Sequence, residues 1–448
     1  MNCFSPIFGR TWGRSSVRVF AGVFLFLSVI IALPATADAA GPVEAAVTNV
    51  RNGFPDEIIF DLTASSTAGD LKTITMRFKV GVSEAERYGT VTLTPGGTFQ
   101  GEYKFKTNHD NFLPAGTDIE YWTEVEDTVG NMLSTDRKRF WYADTRFQWK
   151  KVLEGPTSIY HYGNTDIVAQ SVARAARETQ GKIGDMLGVA WRPYTVMLYN
   201  SVPEIIGAQR PEPSETRRRE LFAAGTHYPG TDLVQVLGVG TSFASDTARH
   251  EIAHLYVAWA GGSSVPTWLN EGLAVWAQTD PGNEYRNALQ RAIATNDLLL
   301  IRGMESFGGS SEDTLLAYGQ SWSVVNYMIT TYGPDKFRQL FESIRAGNGA
   351  RQALQDIYGM DIDKLDAAWR ASVGAPPRSY ETLVPTAIAI PTFAPIGAIP
   401  APQPGGGTAG QAATPAGSVL VIGAGVFGLV FVLLLAGVAA VFVKRRAA

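Results

Sequence analysis

Between residues 42 and 145 apolar and polar positions tend to alternate. Residues 58–62, 74–80 and 99–105 are rich in β-branched and aromatic side chains, and each predicts a strand. The period is clearest at residues 119–126, where Ile119, Tyr121 and Val125 share one face and Glu120, Glu124 and Glu126 the other. Residues 114–117 predict a turn before this strand. Residues 127–131 predict a hairpin loop after it, leading into a strand at 137–142. A run of short strands of this kind predicts an all-β, immunoglobulin-like sandwich over residues 41–145. It is either a module that binds substrate or cell wall or a spacer packed against its neighbour, because fold does not imply function.

From residue 146 the period lengthens. Asn164 or Thr165 caps a helix that runs to about Leu187, with Asp166 in its first turn and Gly188 as its stop. Residues 194–199 and 233–237 are short apolar runs that predict buried strands, with 225–230 as a loop. Ser245 or Asp246 caps a helix through the 250s, and a second apolar helix follows at 269–276. Further helices are expected at 285–296, at 321–328 with a stop at Gly333-Pro334, at 335–341 and at 361–369. Arg217-Arg218-Arg219 reads as a solvated helix face. Residues 146–375 thus predict an α+β domain.

Both ends of the chain are patterned differently. Arg10, Arg14 and Arg18 precede an apolar stretch at 19–33, and Ala35-Thr36-Ala37 and Ala37-Asp38-Ala39 are small-residue cleavage signals, so residues 1–40 predict a signal peptide. An uncleaved signal anchor is the alternative. Residues 376–417 are rich in Pro, Gly and Ala and predict a tether. Residues 418–443 are long and apolar enough to predict a C-terminal transmembrane helix, followed by a cytoplasmic tail at 444–448 that carries Lys444, Arg445 and Arg446. The expected location is a cell membrane, single-pass, with the 146–375 domain outside.

Composition excludes some classes. The net charge is −4 and no basic stretch is interleaved with aromatics, which excludes nucleic acid as a partner. Cys3 is the only cysteine, so no intramolecular disulfide forms. The 45% hydrophobic content is ample for sizeable cores.

The chemistry concentrates at residues 250–274. On a helix, His250 and His254 lie one turn apart on one face and can reach one metal ion. Glu251 projects beside them, placed to take a proton from a water on that ion. A catalytic zinc has three protein ligands and one open position, and Glu271 is the candidate third ligand. Residues 261–266 form the turn that returns its helix toward the first. An H-E-x-x-H string can also be an ordinary amphipathic helix. Against that, Ile252, Leu255 and Val257 would bury this helix, where unpartnered histidines and glutamates are costly. His227, His109 and His161 are left out as ordinary histidines.

The strings His250-Glu251-x-x-His254 and Pro266-x-Trp268-Leu269-Asn270-Glu271-Gly272-Leu273-Ala274 resemble the gluzincin metallopeptidases, and within them the bacterial peptidase MA-like group. The resemblance covers about residues 150–375. It implies a thermolysin-like zincin core, one Zn2+ held by His250, His254 and Glu271, Glu251 as general base, and hydrolysis of peptide bonds in a peptide or protein substrate. It also implies that a strand before the zinc helix, here 233–237, pairs with extended substrate. Tyr318 resembles the family's downstream tyrosine, a donor to the developing oxyanion, and is otherwise a core aromatic. There are two departures. Val275 stands where thermolysin has an aspartate that orients a histidine. The aminopeptidase G-x-M-E-N strand has only Gly303-Met304-Glu305-Ser306 as a counterpart, downstream of the helix. Exopeptidase specificity is therefore not implied. The alternative to an enzyme is a surface binding or scaffold protein with a structural metal domain.

Overall fold

Alternating burial organises the first hundred residues of the described chain. In β2 (Glu57–Ser66) Ile58, Phe60, Leu62 and Ala64 are buried, and in β3 (Leu71–Val80) Ile74, Met76, Phe78 and Val80. The structure, a computed structural model, describes residues 41–108, 111–210, 224–307 and 310–380. The expected signal peptide, His109, Arg217–Arg219, residues 381–417 of the tether, the transmembrane segment 418–443 and the tail 444–448 lie outside these residues. The chain separates into two units, Met1–Gly41 and Pro42–Ala448, and the second is described here.

Strand β1 (Val43–Gly53) pairs with β2, and β2 with β5 (Thr98–Lys106), in an antiparallel sheet. A second antiparallel sheet has the order β4 (Glu86–Thr90), β3, β6 (Thr117–Asp127), β7 (Met132–Ser134), with β8 (Lys138–Tyr142) also on β6. The inner faces share one core, in which Phe60 lies 5.3 Å from Phe78 and 5.0 Å from Tyr121.

A third sheet has the order β12 (Gly225–Tyr228), β13 (Leu233–Leu237), β11 (Thr195–Tyr199), β10 (Thr157–His161), β9 (Lys150–Glu154). Strands β10, β11 and β13 run parallel, and β9 and β12 are antiparallel edges. The central strands are buried on both faces, which explains their unbroken apolar runs. Val196 and Leu198 of β11, with Val234 and Val236 of β13, join a core shared with the helices. Met197, Tyr199, Leu233 and Leu237 face the other way, into a cluster with Phe54, Phe112 and Trp141 of the β-rich region. There Trp141 stacks on Tyr160 at 4.5 Å. Gly116, at φ +102°, brings its backbone so close to Leu233 that a Cβ would lie 2.7 Å from that side chain.

The helices are α1 (Asp166–Thr179), α2 (Asp185–Leu187), α3 (Val202–Ile206), α4 (Thr241–Gly261), α5 (Thr267–Ala277), α6 (Asn283–Thr295), α7 (Ser311–Tyr332), α8 (Pro334–Arg345), α9 (Ala350–Tyr358) and α10 (Ile362–Ser372). A π-helical turn, Gln180–Gly184, joins α1 to α2, and Gly188 stops α2 in the left-handed region. Helix α4 starts at Gly240, not at Ser245 or Asp246 as expected. Gly240 supplies a turn at φ +74°, and Asp246 instead bonds Arg249 and the Thr279 amide. Helix α7 starts ten residues before the expected 321, because Ser310 and Asp313 close a capping box.

Further expectations need correction. Residues 225–230, read as a loop, contain β12, and among the described strands the edge of the sheet is β12, not 233–237, which lies between β12 and β11. The fold class with a C-terminal transmembrane helix is also corrected. Among the described residues no helix is long and apolar enough to cross a membrane. The two long helices, of 21 and 22 residues, carry Asp246, Arg249 and Glu251 in α4 and Glu312 and Asp313 in α7. The described fold is N-terminal β sheets followed by an α/β region. The single-pass cell-membrane location and the membrane as partner are withdrawn with the span.

Candidate metal centre

Helix α4 carries His250, Glu251 and His254 at its centre, all buried. The i, i+4 spacing stacks the two histidines on one face, with ring centroids 4.8 Å apart. Gly262, at φ +71°, turns the chain after α4, and Pro266 opens α5. Helix α5 packs between α4 and α7. Gly272 makes this possible, since a Cβ there would collide with the Ser321 carbonyl oxygen of α7. The close approach carries Glu271 inward until its Oε2 lies 3.6 Å from His250 Nε2 and 3.6 Å from His254 Nε2. Asn270 Oδ1 lies 2.8 Å from His254 Nδ1, so His254 donates there and turns Nε2 toward Glu271.

Burial dominates the electrostatics. Desolvation pushes Glu271 well above the usual carboxylate range, with the Glu251 charge adding to the rise and hydrogen bonding from Tyr318 opposing it. It pushes Glu251 up to about 7, partly countered by His254. His250 is held well below its ordinary value and His254 down to about 3, both chiefly by desolvation. Among the described residues no lysine or arginine pairs with either carboxylate. Buried carboxylates facing neutral imidazoles lack a cation. Among the described residues His254 Nε2 has no hydrogen-bond partner. Two imidazole nitrogens and a carboxylate oxygen converging in a buried space fit the donor set of zinc, and His250, His254 and Glu271 form a group able to hold a metal ion.

Tyr318 lies on α7 beside this group, within the helix rather than at its entry. Its ring centroid is 6.3 Å from that of His250; it stacks on Tyr285 at 5.5 Å and meets Phe307 edge-on at 5.2 Å. The tyrosine is thus a core aromatic whose phenol also faces Glu271.

His227, set aside as a surface histidine, is only 6% exposed. It is on β12, stacks on His254 at 4.3 Å and places Nδ1 3.3 Å from Glu251 Oε2. His227, Glu251 and His254 form a second group of metal-capable side chains. His161 is buried at the end of β10, 3.2 Å from the Thr165 hydroxyl. Asn270 and Gly272 stand in the string that carries the resemblance but were given no role there, and Gly225 was read only as part of a loop. Asn270 was visible, beside Glu271, as a polar residue in a largely apolar helix. The two glycines could be understood only from what packs against them.

Three comparisons with known proteins bear on this geometry. No curated protein matches the sequence. The M1 zinc metallopeptidase from Deinococcus radiodurans aligns over 70% of this chain and 90% of its own, at 14% identity and a TM-score of 0.33. Legionella pneumophila aminopeptidase A, solved with aspartic acid, aligns over 70% of this chain and 47% of its own, at 12% identity and a TM-score of 0.30. These scores are too low for either likeness to carry weight. Residues 175–375, which include every residue of the centre, match the family model of the Peptidase MA superfamily, and this match supports a zincin-like peptidase, a hydrolase.

Proposed function

We propose that this chain is a zinc-dependent metallopeptidase in which His250, His254 and Glu271 hold the metal and Glu251 is the general base. The observation that carries the proposal is the convergence of His250 Nε2, His254 Nε2 and Glu271 Oε2, with a second buried carboxylate, Glu251, next to His250 on α4. When bound, zinc supplies a Lewis acid that polarises the scissile carbonyl and lowers the pKa of water toward about 7. Glu251 takes the proton of the attacking water and delivers it to the leaving amine. Its low-dielectric surroundings raise its basicity into the range suited to that exchange. Tyr318 donates its phenolic hydrogen toward the oxyanion that develops on the carbonyl. Asn270 fixes the ring of His254, and the aromatic packing of Tyr285 and Phe307 fixes that of Tyr318. Strand β12 offers the sheet edge nearest the centre for an extended peptide.

The test measures metal content and cleavage of a peptide library on the same samples. Glu271→Ala should lose zinc and activity together. Glu251→Gln should keep about one zinc per chain and lose roughly 10²–10⁴-fold in turnover. Loss of zinc from Glu251→Gln would make Glu251 a ligand. Bound zinc with no cleavage by any variant, wild type included, would favour a scaffold with a structural metal domain.

A further inference from the structure

His227 stands beside the proposed centre without a part in the chemistry above. It lies opposite Val234 in the β12–β13 ladder, and Gly225 lies opposite Val236. Both valines belong to the helix-facing core, and directly opposed residues of a ladder project to one face. Gly225 and His227 therefore both face α4, and the strand meets the Glu251 carboxylate in two ways. At Gly225 it leaves room: a Cβ there would lie 2.5 Å from Glu251 Cγ and 2.8 Å from Oε1. At His227 it brings Nδ1 to 3.3 Å from Oε2. The His227 ring is itself held, stacked on His254 with 27° between planes. Among the described residues Glu251 Oε1 has no hydrogen-bond partner.

We infer that His227 is a positioning residue for Glu251: its Nδ1–H donates to Oε2 and, with the space left by Gly225, holds the carboxylate in one rotamer with Oε1 free to accept a proton. The inference rests on the reading of Glu251 as general base. The geometry makes a specific demand on the neutral ring, that its proton be on Nδ1, because the tautomer with the proton on Nε2 cannot donate to Oε2. It also demands that ring stacking alone be insufficient.

The experiment has a spectroscopic and a kinetic arm, both on the full chain loaded with zinc. Long-range proton–nitrogen spectra of a sample labelled in its five histidines, with His227 assigned by its loss in His227→Asn, report the tautomer. The Nδ1–H form is expected, and the Nε2–H form would overturn the proposal. Turnover is measured on a fluorescence-quenched peptide library. His227→Phe keeps the stacking and loses the donor, so kcat should fall about 10–100-fold with KM and zinc content unchanged. His227→Asn restores an N–H near the position of Nδ1 and should recover most of that loss. Gly225→Ala leaves His227 in place and should lower kcat by a similar factor. Wild-type turnover in His227→Phe, or loss of zinc in step with activity, would refute the positioning role; the second result would make His227 a ligand. Should His227→Phe fail to fold, the wild-type tautomer and Gly225→Ala still decide. Glu251→Gln keeps the two readings apart: wild-type turnover there removes the general base, whatever the tautomer of His227.

Discussion

Asn270 Oδ1 lies 2.8 Å from His254 Nδ1, so the residue immediately before Glu271 orients the ring whose other nitrogen faces Glu271. One turn of α5 thus supplies a candidate ligand and the support of another. Removing that support by Asn270→Ala should weaken zinc binding by about 10–100-fold without unfolding the chain. Competition against a chromogenic chelator measures it, and an unchanged affinity would show that packing alone holds His254.

Gly272→Ala should destabilise the fold by about 1–3 kcal/mol, the usual effect of overpacking. The new methyl meets the backbone of Ser321, which cannot swing aside as a side chain can. A denaturation midpoint equal to that of the wild type would mean that α5 and α7 separate without penalty.

Metal binding should release protons. Burial raises Glu271 well above the usual carboxylate range in the metal-free chain, so it keeps its proton to higher pH than a free carboxylate, whereas burial holds His250 and His254 low and favours their neutral form. Zinc takes the ionised carboxylate, so wherever Glu271 is protonated its binding releases that proton. Affinity should therefore rise with pH until Glu271 ionises unaided. Calorimetry in buffers of different ionisation enthalpy counts the protons, and a count of zero would contradict this protonation pattern.

Tyr318→Phe should retain zinc and lose at most about 10²–10³-fold in turnover, the range for one oxyanion donor. The ring packing on Tyr285 survives the change. Loss of zinc instead would assign the hydroxyl to the support of Glu271.

We propose domain limits at 41–145 and 146–375, but a chain cut to residues 147–373 should behave poorly. The cut uncovers Met197, Tyr199, Leu233 and Leu237, which the β-rich region buries. Aggregation or a lowered melting temperature is expected in size-exclusion and thermal measurements. A monomeric fragment as stable as the whole would show that this wall needs no cover.

The placement of His250, Glu251 and His254 was legible because helical period alone puts i and i+4 on one face. Glu271 was legible because a lone acid in the apolar string 268–277 asks for a partner. The capping box at Ser310 and Asp313 was also written in the sequence and was overlooked. His227 was not legible. Its strand has four residues, includes Gly225 and runs into Pro229-Gly230, all of which read as turn. What makes it a strand is its ladder with β13, a tertiary fact. The apolar runs of β11 and β13 announced burial without saying that two unlike layers share them.

That sharing constrains how the chain can err. Successive side chains of β11 serve opposite layers, Val196 and Leu198 one way, Met197 and Tyr199 the other. A slip of one residue would drive Tyr199 among the helices and strand Val196 against the aromatic wall. A register displaced by one residue satisfies neither neighbour, so β11 is held against that slip from both sides. A defect introduced on the face away from the histidines would still reach them, through strand alignment and not through contact.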